Sequence, residues 1–259
     1  MARALLLLVF LLGVAGCGGS EPASVLDLAK ERGALRVAME PTFRPFESRD
    51  ENDVLVGFDV DLARVLGKEL GVEVEFVSVV WDSIIPTLLA KKADLIMSGM
   101  TILEERKLKV DYSDPYFHTV TCLLVSTKTA PGIISVDELN REGRTLVVKE
   151  GTTGHFAAEK RCPKAKIVAV KTENDAAREV TLGRADAFLY DLWSIRKHNS
   201  NHPAETYVVS EAVTKEPYAI ALRKGDPAMR AWLNGVLKAM RADGRMQELY
   251  AKYGLENSD

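Results

Sequence analysis

The stretch WDSIIPTLLAKKADLIMSGMTILEER, from Trp81 to Arg106, combines a helix, a short strand and a polar turn. Its first part, Trp81 to Lys91, has apolar residues at helical spacing, and we expect four of them to face inward: Ile84, Ile85, Leu88 and Leu89. The run from Asp94 to Met97 follows as a short buried strand that delivers the chain to Ser98. The stretch therefore predicts a helix–strand unit that ends in polar residues.

The same alternation of strand and helix continues on both sides of this stretch. Upstream we predict helices at Val25–Arg32 and Phe58–Leu70 and strands at Ala34–Met39 and Val72–Val77. Downstream we predict strands at Arg144–Lys149, Ile167–Val170, Ala187–Leu189 and Tyr218–Leu222, and helices at His155–Arg161, Asn174–Leu182 and after Asp226-Pro227. Such alternation implies mostly parallel sheets covered by helices. Two series predict two α/β lobes, with a ligand cleft at the carboxyl ends of the strands.

The composition narrows the possible partners. The 259 residues carry 34 basic and 37 acidic side chains, for a net charge of -3, which gives a nucleic-acid partner no electrostatic support. Apolar residues make up 47% of the chain, enough for a substantial core.

The N-terminus has the pattern of an export signal. Arg3 precedes an apolar run from Ala4 to Val14, and small residues follow it. Val14-Ala15-Gly16-Cys17 resembles the bacterial lipobox, so we expect residues 1–16 to be removed and Cys17 to be lipidated; the alternative is an ordinary secreted protein. Lipid chains on Cys17 would hold the protein to the membrane on its extracytoplasmic side. Residues 18–24 would form a tether.

Two further cysteines, Cys122 and Cys162, lie within the predicted globular part. An exported protein can form disulfides, and the sequence leaves this pairing open. Because Cys122 sits in an apolar strand from Val120 to Ser126, we favour a buried free thiol there.

The polar residues at the strand ends match no common catalytic or metal motif. The sequence has no P-loop, no Cys-x-x-Cys, no His-Glu-x-x-His and no Gly-x-Ser-x-Gly, and its four histidines lack metal-ligand spacing. Asp59 and Asp61 are two residues apart on a helix and point in different directions, so we interpret them as acids that favour the helix start. We therefore expect neither metal nor cofactor.

Four motifs resemble those of a known family: PTFRPFE (41–47), GFDVDLA (57–63), the stretch quoted above and DYSDPYF (111–117). In this order and at these intervals they are similar to the amino-acid-binding proteins that serve ABC importers, solute-binding protein family 3. The resemblance runs from about Leu35 to the C-terminus. It implies a type II periplasmic-binding-protein fold, whose lobes are joined by two crossing strands and close on one amino acid.

The resemblance also implies how the amino and carboxyl groups of the ligand are held. Arg106 would pair with the α-carboxylate, as suits a charged guanidinium that offers two parallel hydrogen bonds. The carbonyl of Gly99 and the hydroxyl of Thr101 would contact the ammonium and the carboxylate respectively. Thr152 and Thr153 would present helix N-terminal N–H groups to the carboxylate. Asp191 would hold the α-ammonium.

Four other positions would face the side chain of the ligand: Glu40, Phe43, Trp81 and Lys149. Phe43 and Trp81 offer flat apolar walls, although each could equally be an ordinary core aromatic. Glu40 and Lys149 supply one acceptor and one donor, which suits a primary amide and favours glutamine, with arginine as the main rival. Relatives often have a threonine where this chain has Leu103.

The resemblance implies the remaining organisation as well. Residues 17–32 would hold the lipidated cysteine, tether and first helix, residues 33–117 and 217–259 would form lobe 1, and residues 118–216 lobe 2. The protein would be a monomer that delivers its ligand to a membrane permease. The alternative is an enzyme of the same fold, a periplasmic dehydratase of prephenate or arogenate, in which Glu40 would serve as general acid.

Overall fold

The computed structural model describes residues 23–255, which form two α/β lobes. The helices are α1 (Val25–Arg32), α2 (Phe58–Leu70), α3 (Trp81–Leu89), α4 (Glu104–Lys107), α5 (Thr153–Arg161), α6 (Glu173–Thr181), α7 (Leu192–Asn201), α8 (Pro227–Ala242) and α9 (Arg245–Lys252). A 3-10 turn covers Asp137–Leu139. The predicted signal peptide and Cys17 lie outside the described residues.

Three sheets organise the strands. The first has the order β5 (Glu73–Ser78), β1 (Ala34–Met39), β6 (Leu95–Ile96), β13 (Ala221–Arg223) and β7 (Val110–Tyr112). The second has the order β10 (Lys166–Val170), β9 (Thr145–Lys149), β11 (Ala187–Asp191), β8 (Phe117–Ser126) and β12 (Thr206–Tyr218). A small sheet joins β2 (Thr42–Phe43), β3 (Glu47–Arg49) and β4 (Leu55–Val56).

Each of the two large sheets contains parallel strand pairs. β1 pairs in parallel with β5 and β6, and β9 pairs in parallel with β10 and β11. The late strands β13, β8 and β12 pair antiparallel. Parallel strands have their carboxyl ends at one edge of a sheet, so the residues after β1, β6 and β9 gather there.

Two long strands connect the lobes, as predicted. β8 and β12 run antiparallel, and near the first lobe Thr121 pairs with Thr214 and Phe117 pairs with Tyr218. A register shift interrupts the pair between Val209 and Thr214. Because both strands begin or end at the first lobe, they form its two connections to the second.

The core of each lobe follows the predicted helix faces, with one error. α2 buries Phe58, Leu62 and Leu66, and ends at Gly71 in a left-handed conformation. In α3 the buried residues are Ile84, Thr87 and Leu88, whereas Leu89 is 46% exposed, so its predicted inward position is wrong. Positions i, i+3 and i+4 define the buried face, which contains Ile84, Thr87 and Leu88. Leu89 lies about 100° from Leu88 around the helix axis and so leaves that face.

Two other sequence expectations need correction. The predicted strand Tyr218–Leu222 is interrupted, because Tyr218 ends β12 and Ala221 begins β13 in the other lobe. α5 begins at Thr153, so only Thr152 precedes it as the N-cap. Cys122 and Cys162 are both buried and free, which confirms the interpretation of Cys122.

Candidate functional site

A cleft lies between the lobes, at the carboxyl ends of the parallel strands. Nine of the ten residues predicted to bind ligand line it: Glu40, Phe43, Trp81, Gly99, Thr101, Arg106, Thr152, Thr153 and Asp191. The tenth, Lys149, contacts the cleft residue Glu40. The sequence did not indicate four further lining residues: Glu47, Ser98, Tyr190 and Tyr218. The fold therefore brings nine of the ten predicted residues together in one cleft.

Arg106, in α4, is buried in this cleft with only 7% exposed. Its Nη1 donates to the carbonyl of Thr101 at 3.0 Å, and its Nη2 donates to the carbonyl of Gly151 at 3.2 Å. The guanidinium also lies 5.1 Å from the ring centre of Trp81. No carboxylate of residues 23–255 forms a direct ion pair with it, although the charge of Glu216 lies near enough to raise its pKa. Burial lowers its pKa, but a guanidinium stays charged, and so it can bind an anion.

Asp191 supplies the opposite charge from the second lobe. It ends β11, caps α7 and is 4% exposed. Its Oδ1 accepts from the backbone N–H of Trp193 at 2.9 Å, and its Oδ2 accepts from the hydroxyl of Tyr218. Burial raises the pKa of Asp191 to about 7, against the lowering effect of these hydrogen bonds. An ammonium group beside it would favour the ionised form and lower this pKa.

Thr101 contacts a residue that the sequence did not single out, Glu216 of β12. The Thr101 hydroxyl donates to Glu216 Oε2 at 2.5 Å, and the Thr214 hydroxyl donates to Oε1. A hydroxyl has one proton, so Thr101 Oγ1 can act only as an acceptor toward a ligand. The predicted contact of this hydroxyl with the ligand carboxylate stays a prediction, which would require the Thr101 proton to turn away from Glu216.

Gly99 depends on the absence of a side chain. Its φ is +52°, and a Cβ there would lie 2.5 Å from a ring carbon of Phe43. Its N–H donates at 2.8 Å to Asp59 Oδ2, which also accepts from the hydroxyl of Tyr116. Asp59 is fully buried, so its interpretation as a helix-start acid was incomplete. Asp61 does lie near the surface, where it pairs with Arg64 and Lys252.

The two charged residues predicted to face the ligand side chain contact each other directly. Lys149 Nζ donates to Glu40 Oε2, and these residues are 1% and 7% exposed. Glu40 Oε1 accepts from the backbone N–H of Trp81 at 3.3 Å. Lys149 Nζ also lies 5.8 Å and 5.9 Å from the ring centres of Trp81 and Tyr190. This end of the cleft is therefore neutral and aromatic.

Phe43 is both a wall of the cleft and a member of the aromatic core. Phe43 lines the cleft, yet its ring also stacks on Phe46 at 5.0 Å and meets Tyr190 edge-on at 6.0 Å. On the opposite side, the Thr152 hydroxyl donates to the carbonyl of Lys149 at 2.7 Å, which fixes the turn before α5. The N-terminus of α5 thus opens on the cleft.

The lobes touch across the cleft. Trp81 Nε1 donates to the carbonyl of Gly151 at 3.0 Å. Lys171 Nζ lies 2.5 Å from Asp82 Oδ2 and 2.7 Å from Glu150 Oε2. With the Arg106 and Glu40 contacts, these interactions join residues of both lobes and describe a closed arrangement.

Residues 23–255 contain no cluster of three or more side chains suited to holding a metal ion. In the same part of the chain, no helix is both long and apolar enough to cross a bilayer.

The fold and the cleft together define a two-lobed binding protein with a small polar ligand site. Residues 35–256 match the model of the bacterial extracellular solute-binding proteins, family 3. The chain belongs to this family, which confirms the predicted class, an amino-acid-binding protein of an ABC importer.

Similar proteins agree with this class. A probable histidine-binding protein of Neisseria gonorrhoeae is 35% identical over 93% of this chain and 91% of its own. The crystal structure of an ancestral amino-acid-binding protein, described as a precursor of cyclohexadienyl dehydratase, is 44% identical with a TM-score of 0.82, covering 89% of this chain and 99% of its own. An ancestral arginine-binding protein bound to glutamine is 38% identical with a TM-score of 0.80, covering 87% and 99%.

These relatives are binding proteins, which confirms the prediction of a binding protein rather than an enzyme. The site gives a physical reason as well. Glu40, the residue that a dehydratase would use as general acid, is paired with Lys149. The carboxyl group that would have to act on a substrate is therefore already engaged by a residue of this chain.

Proposed function

We propose that the protein is a lipid-anchored receptor that captures a polar L-amino acid, glutamine in preference, and delivers it to the permease of an ABC importer. The observation that carries this proposal is a pair of buried, opposite charges in one cleft. Arg106 lacks a carboxylate partner among the described residues, and Asp191 is held by two donors from a tyrosine and a backbone N–H. An α-amino acid has the complementary carboxylate and ammonium.

The preference for glutamine rests on the paired charges of Glu40 and Lys149. A cationic or anionic side chain would face a like charge in a poorly screened cleft. A carboxamide can insert between the two groups, donating from its N–H₂ to Glu40 and accepting from Lys149 at its carbonyl. Its methylenes would lie against Phe43 and Trp81. Arginine is the main rival, because its guanidinium could replace Lys149 as the partner of Glu40.

The test is a competition panel of the common L-amino acids on protein that has been unfolded, stripped of ligand and refolded. Isothermal calorimetry should give the tightest binding for glutamine. Tighter binding of arginine or histidine would overturn the glutamine preference but leave the amino-acid receptor in place. Binding of none of the amino acids would overturn the receptor itself.

The lipid anchor is a separate part of the proposal, and it rests on the lipobox-like Val14-Ala15-Gly16-Cys17. Removal of residues 1–16 removes Arg3 and changes the net charge from -3 to -4. In cells fed a labelled fatty acid, the full-length protein should incorporate label, and Cys17→Ala should not. Equal labelling of both would exclude Cys17 as the acceptor.

We also propose that the chain works as a monomer in which lobe 1 (33–117 and 217–259) and lobe 2 (118–216) move about β8 and β12. A ligand that touches both lobes stabilises the closed form. Small-angle scattering should therefore show a monomer whose radius of gyration decreases when ligand is added to open protein. A ligand that left the radius of an open form unchanged would contradict closure.

A further inference from the structure

Two fully buried carboxyl groups lie behind the turn that presents Ser98 and Gly99 to the cleft. Glu47 comes from β3 and Asp59 from the first turn of α2, and neither has any exposed surface. No role was predicted for Glu47 from the sequence, although it ends the motif PTFRPFE and lines the cleft. Burying two negative charges side by side is unfavourable unless protons or donors compensate them.

Donors satisfy only half of the four carboxyl oxygens. Asp59 Oδ2 accepts from the N–H of Gly99 and the hydroxyl of Tyr116, both at 2.8 Å. Glu47 Oε1 accepts from the hydroxyl of Ser98 at 2.5 Å. The other two oxygens, Glu47 Oε2 and Asp59 Oδ1, are buried and accept no hydrogen bond from the described residues. The two carboxyl groups are neighbours, because their donors Ser98 and Gly99 are consecutive residues and the charge of Asp59 raises the pKa of Glu47.

We propose that Glu47 and Asp59 share a single proton and act as a positioning pair that holds the Ser98–Gly99 turn in its ligand-binding form. A proton on Glu47 Oε2 donates to Asp59 Oδ1 and satisfies both orphaned oxygens at once. The positioning role rests on the proposed function, in which an amino acid binds the cleft and, as the sequence predicts, its ammonium contacts the carbonyl of Gly99. The shared proton is independent of it.

The hydrogen bonds decide which partner holds the proton. Asp59 accepts from two donors, which stabilise its ionised form, whereas Glu47 accepts from Ser98 alone. Burial and the charge of Asp59 raise the pKa of Glu47 well above its ordinary value. Burial raises that of Asp59 only to about 7. The other charged groups nearby are Glu40, which also raises the pKa of Glu47, and Lys149, which lowers it.

The pair reaches several ligand-facing groups through short connections. The Asp59 carboxylate fixes the N–H of Gly99, whose φ of +52° sets the direction of the next peptide. Through the Ser98 hydroxyl, which accepts from the backbone N–H of Glu40 at 3.0 Å, Glu47 also holds the end of β1. Loss of the proton would place two adjacent negative charges beneath this turn.

The test uses amide substitutions, which replace the shared proton with fixed N–H donors. Glu47→Gln keeps an acceptor for Ser98 and donates to Asp59, and Asp59→Asn keeps an acceptor for Gly99 and donates to Glu47. Each single variant should therefore retain affinity for glutamine or arginine within about tenfold. The double variant sets two N–H₂ groups against each other, so the coupling should exceed about tenfold, or 1.4 kcal/mol. Asp61→Asn, on the outer side of α2, is the matched control and should change little.

A pH series separates this pair from a purely structural contact. As pH rises through the raised pKa of Glu47, the wild type loses the shared proton, whereas Glu47→Gln keeps its donor. The affinity ratio of Glu47→Gln to wild type should therefore increase with pH, and this ratio cancels the titration of the ligand's own amine. In ligand-free protein, the free energy of unfolding of the wild type should fall more between pH 5 and pH 8 than that of Glu47→Gln. The raised pKa of Glu47 stabilises the folded state while the proton is bound, and this stabilisation is lost as the pH rises.

Additive effects of the two amide substitutions, together with a constant affinity ratio across pH, would overturn the proposal. If the wild type binds neither amino acid, the proposed receptor function fails instead. In that case, urea unfolding of the wild type, the two single variants and the double variant still decides whether the proton is shared, because the coupling can be measured in the free energy of unfolding.

Discussion

The two ends of the cleft differ in how their charges are satisfied. At one end, the described residues give Arg106 hydrogen bonds to backbone carbonyls and give Asp191 hydrogen bonds from a hydroxyl and a backbone N–H. At the other end, Glu40 and Lys149 are already paired. Among residues 23–255, the first end therefore has no direct ion pair at Arg106 or Asp191, whereas the second end has one.

Under the proposed function, this difference would separate recognition of the amino-acid backbone from recognition of its side chain. A buried charge without a counter-charge gains most from a ligand that supplies one, so the Arg106 end should provide most of the affinity. A charge that already has a partner gains little, so the Glu40–Lys149 end should decide which amino acid binds. Each prediction below changes one end and leaves the other intact.

The largest effect is expected for Arg106→Ala. The ligand carboxylate would then be desolvated without its partner, at a cost of roughly 3 to 5 kcal/mol, as for other broken buried pairs. Calorimetry should show binding weakened by more than a hundredfold or lost. Lys107→Ala, an exposed neighbour in α4, is the control and should bind normally. A loss below about tenfold, or 1.4 kcal/mol, would exclude Arg106 as the carboxylate ligand.

Lys149→Met should change the choice of ligand more than the total affinity. The substitution leaves Glu40 without its counter-charge, so a cationic side chain becomes a favourable partner and a carboxamide loses one hydrogen bond. We expect glutamine to weaken about tenfold and arginine to strengthen. The competition panel measures both changes. Unchanged glutamine binding would show that Lys149 does not face the ligand side chain.

Asp191 predicts a pH dependence that belongs to the Arg106 end. In the free protein its pKa is raised to about 7, and a bound ammonium should lower it. Binding then requires proton loss from Asp191 below pH 7, so the contribution of Asp191 to affinity should be constant above about pH 7 and fall about tenfold per unit below it. Calorimetry across pH 5 to 8 checks this slope. Asp191→Asn should bind weakly and without the slope, and a slope retained in this variant would assign it to another group.

The smallest effect concerns the start of α4, the helix that carries Arg106. Leu103 is its N-cap and makes no side-chain hydrogen bond to the helix. Leu103→Thr would supply a capping hydroxyl, worth about 0.5 to 1 kcal/mol of stability, partly offset by lost apolar contact. Chemical unfolding should show a small net stabilisation, with Leu103→Ala as the control that lacks the hydroxyl. A destabilisation equal to that of Leu103→Ala would show that no cap forms.

Local patterns predicted the elements that enter the first lobe well. Val25–Arg32, Ala34–Met39 and Phe58–Leu70 have the bounds expected from their apolar spacing and terminal residues. The site residues were found because family motifs place each of them at a strand end or helix start. Such positions depend on neighbours close in sequence, which the sequence displays directly.

The errors and omissions occur where distant segments meet. The sequence did not show that β12 extends over Thr206–Tyr218. A register shift interrupts the pairing of this strand with β8 between Val209 and Thr214, so its pattern is not that of one regular strand. Glu216 and Tyr218 reach Thr101 and Asp191 only after β12 returns to the first lobe. Asp59 looked like a helix-start acid because its partners, Gly99 and Tyr116, lie 40 and 57 residues away.

The sequence by itself determined the alternating α/β elements, the family and most of the residues that line the cleft. Periodicity and motif order carry that information, because they depend on local geometry and on residue type. Only the tertiary structure decided how the charges are partnered: Lys149 with Glu40, Thr101 with Glu216, and Glu47 beside Asp59. The physical reason is that the pKa, the donor or acceptor role and the desolvation of a side chain depend on atoms within a few ångströms, and folding brings these from distant parts of the chain.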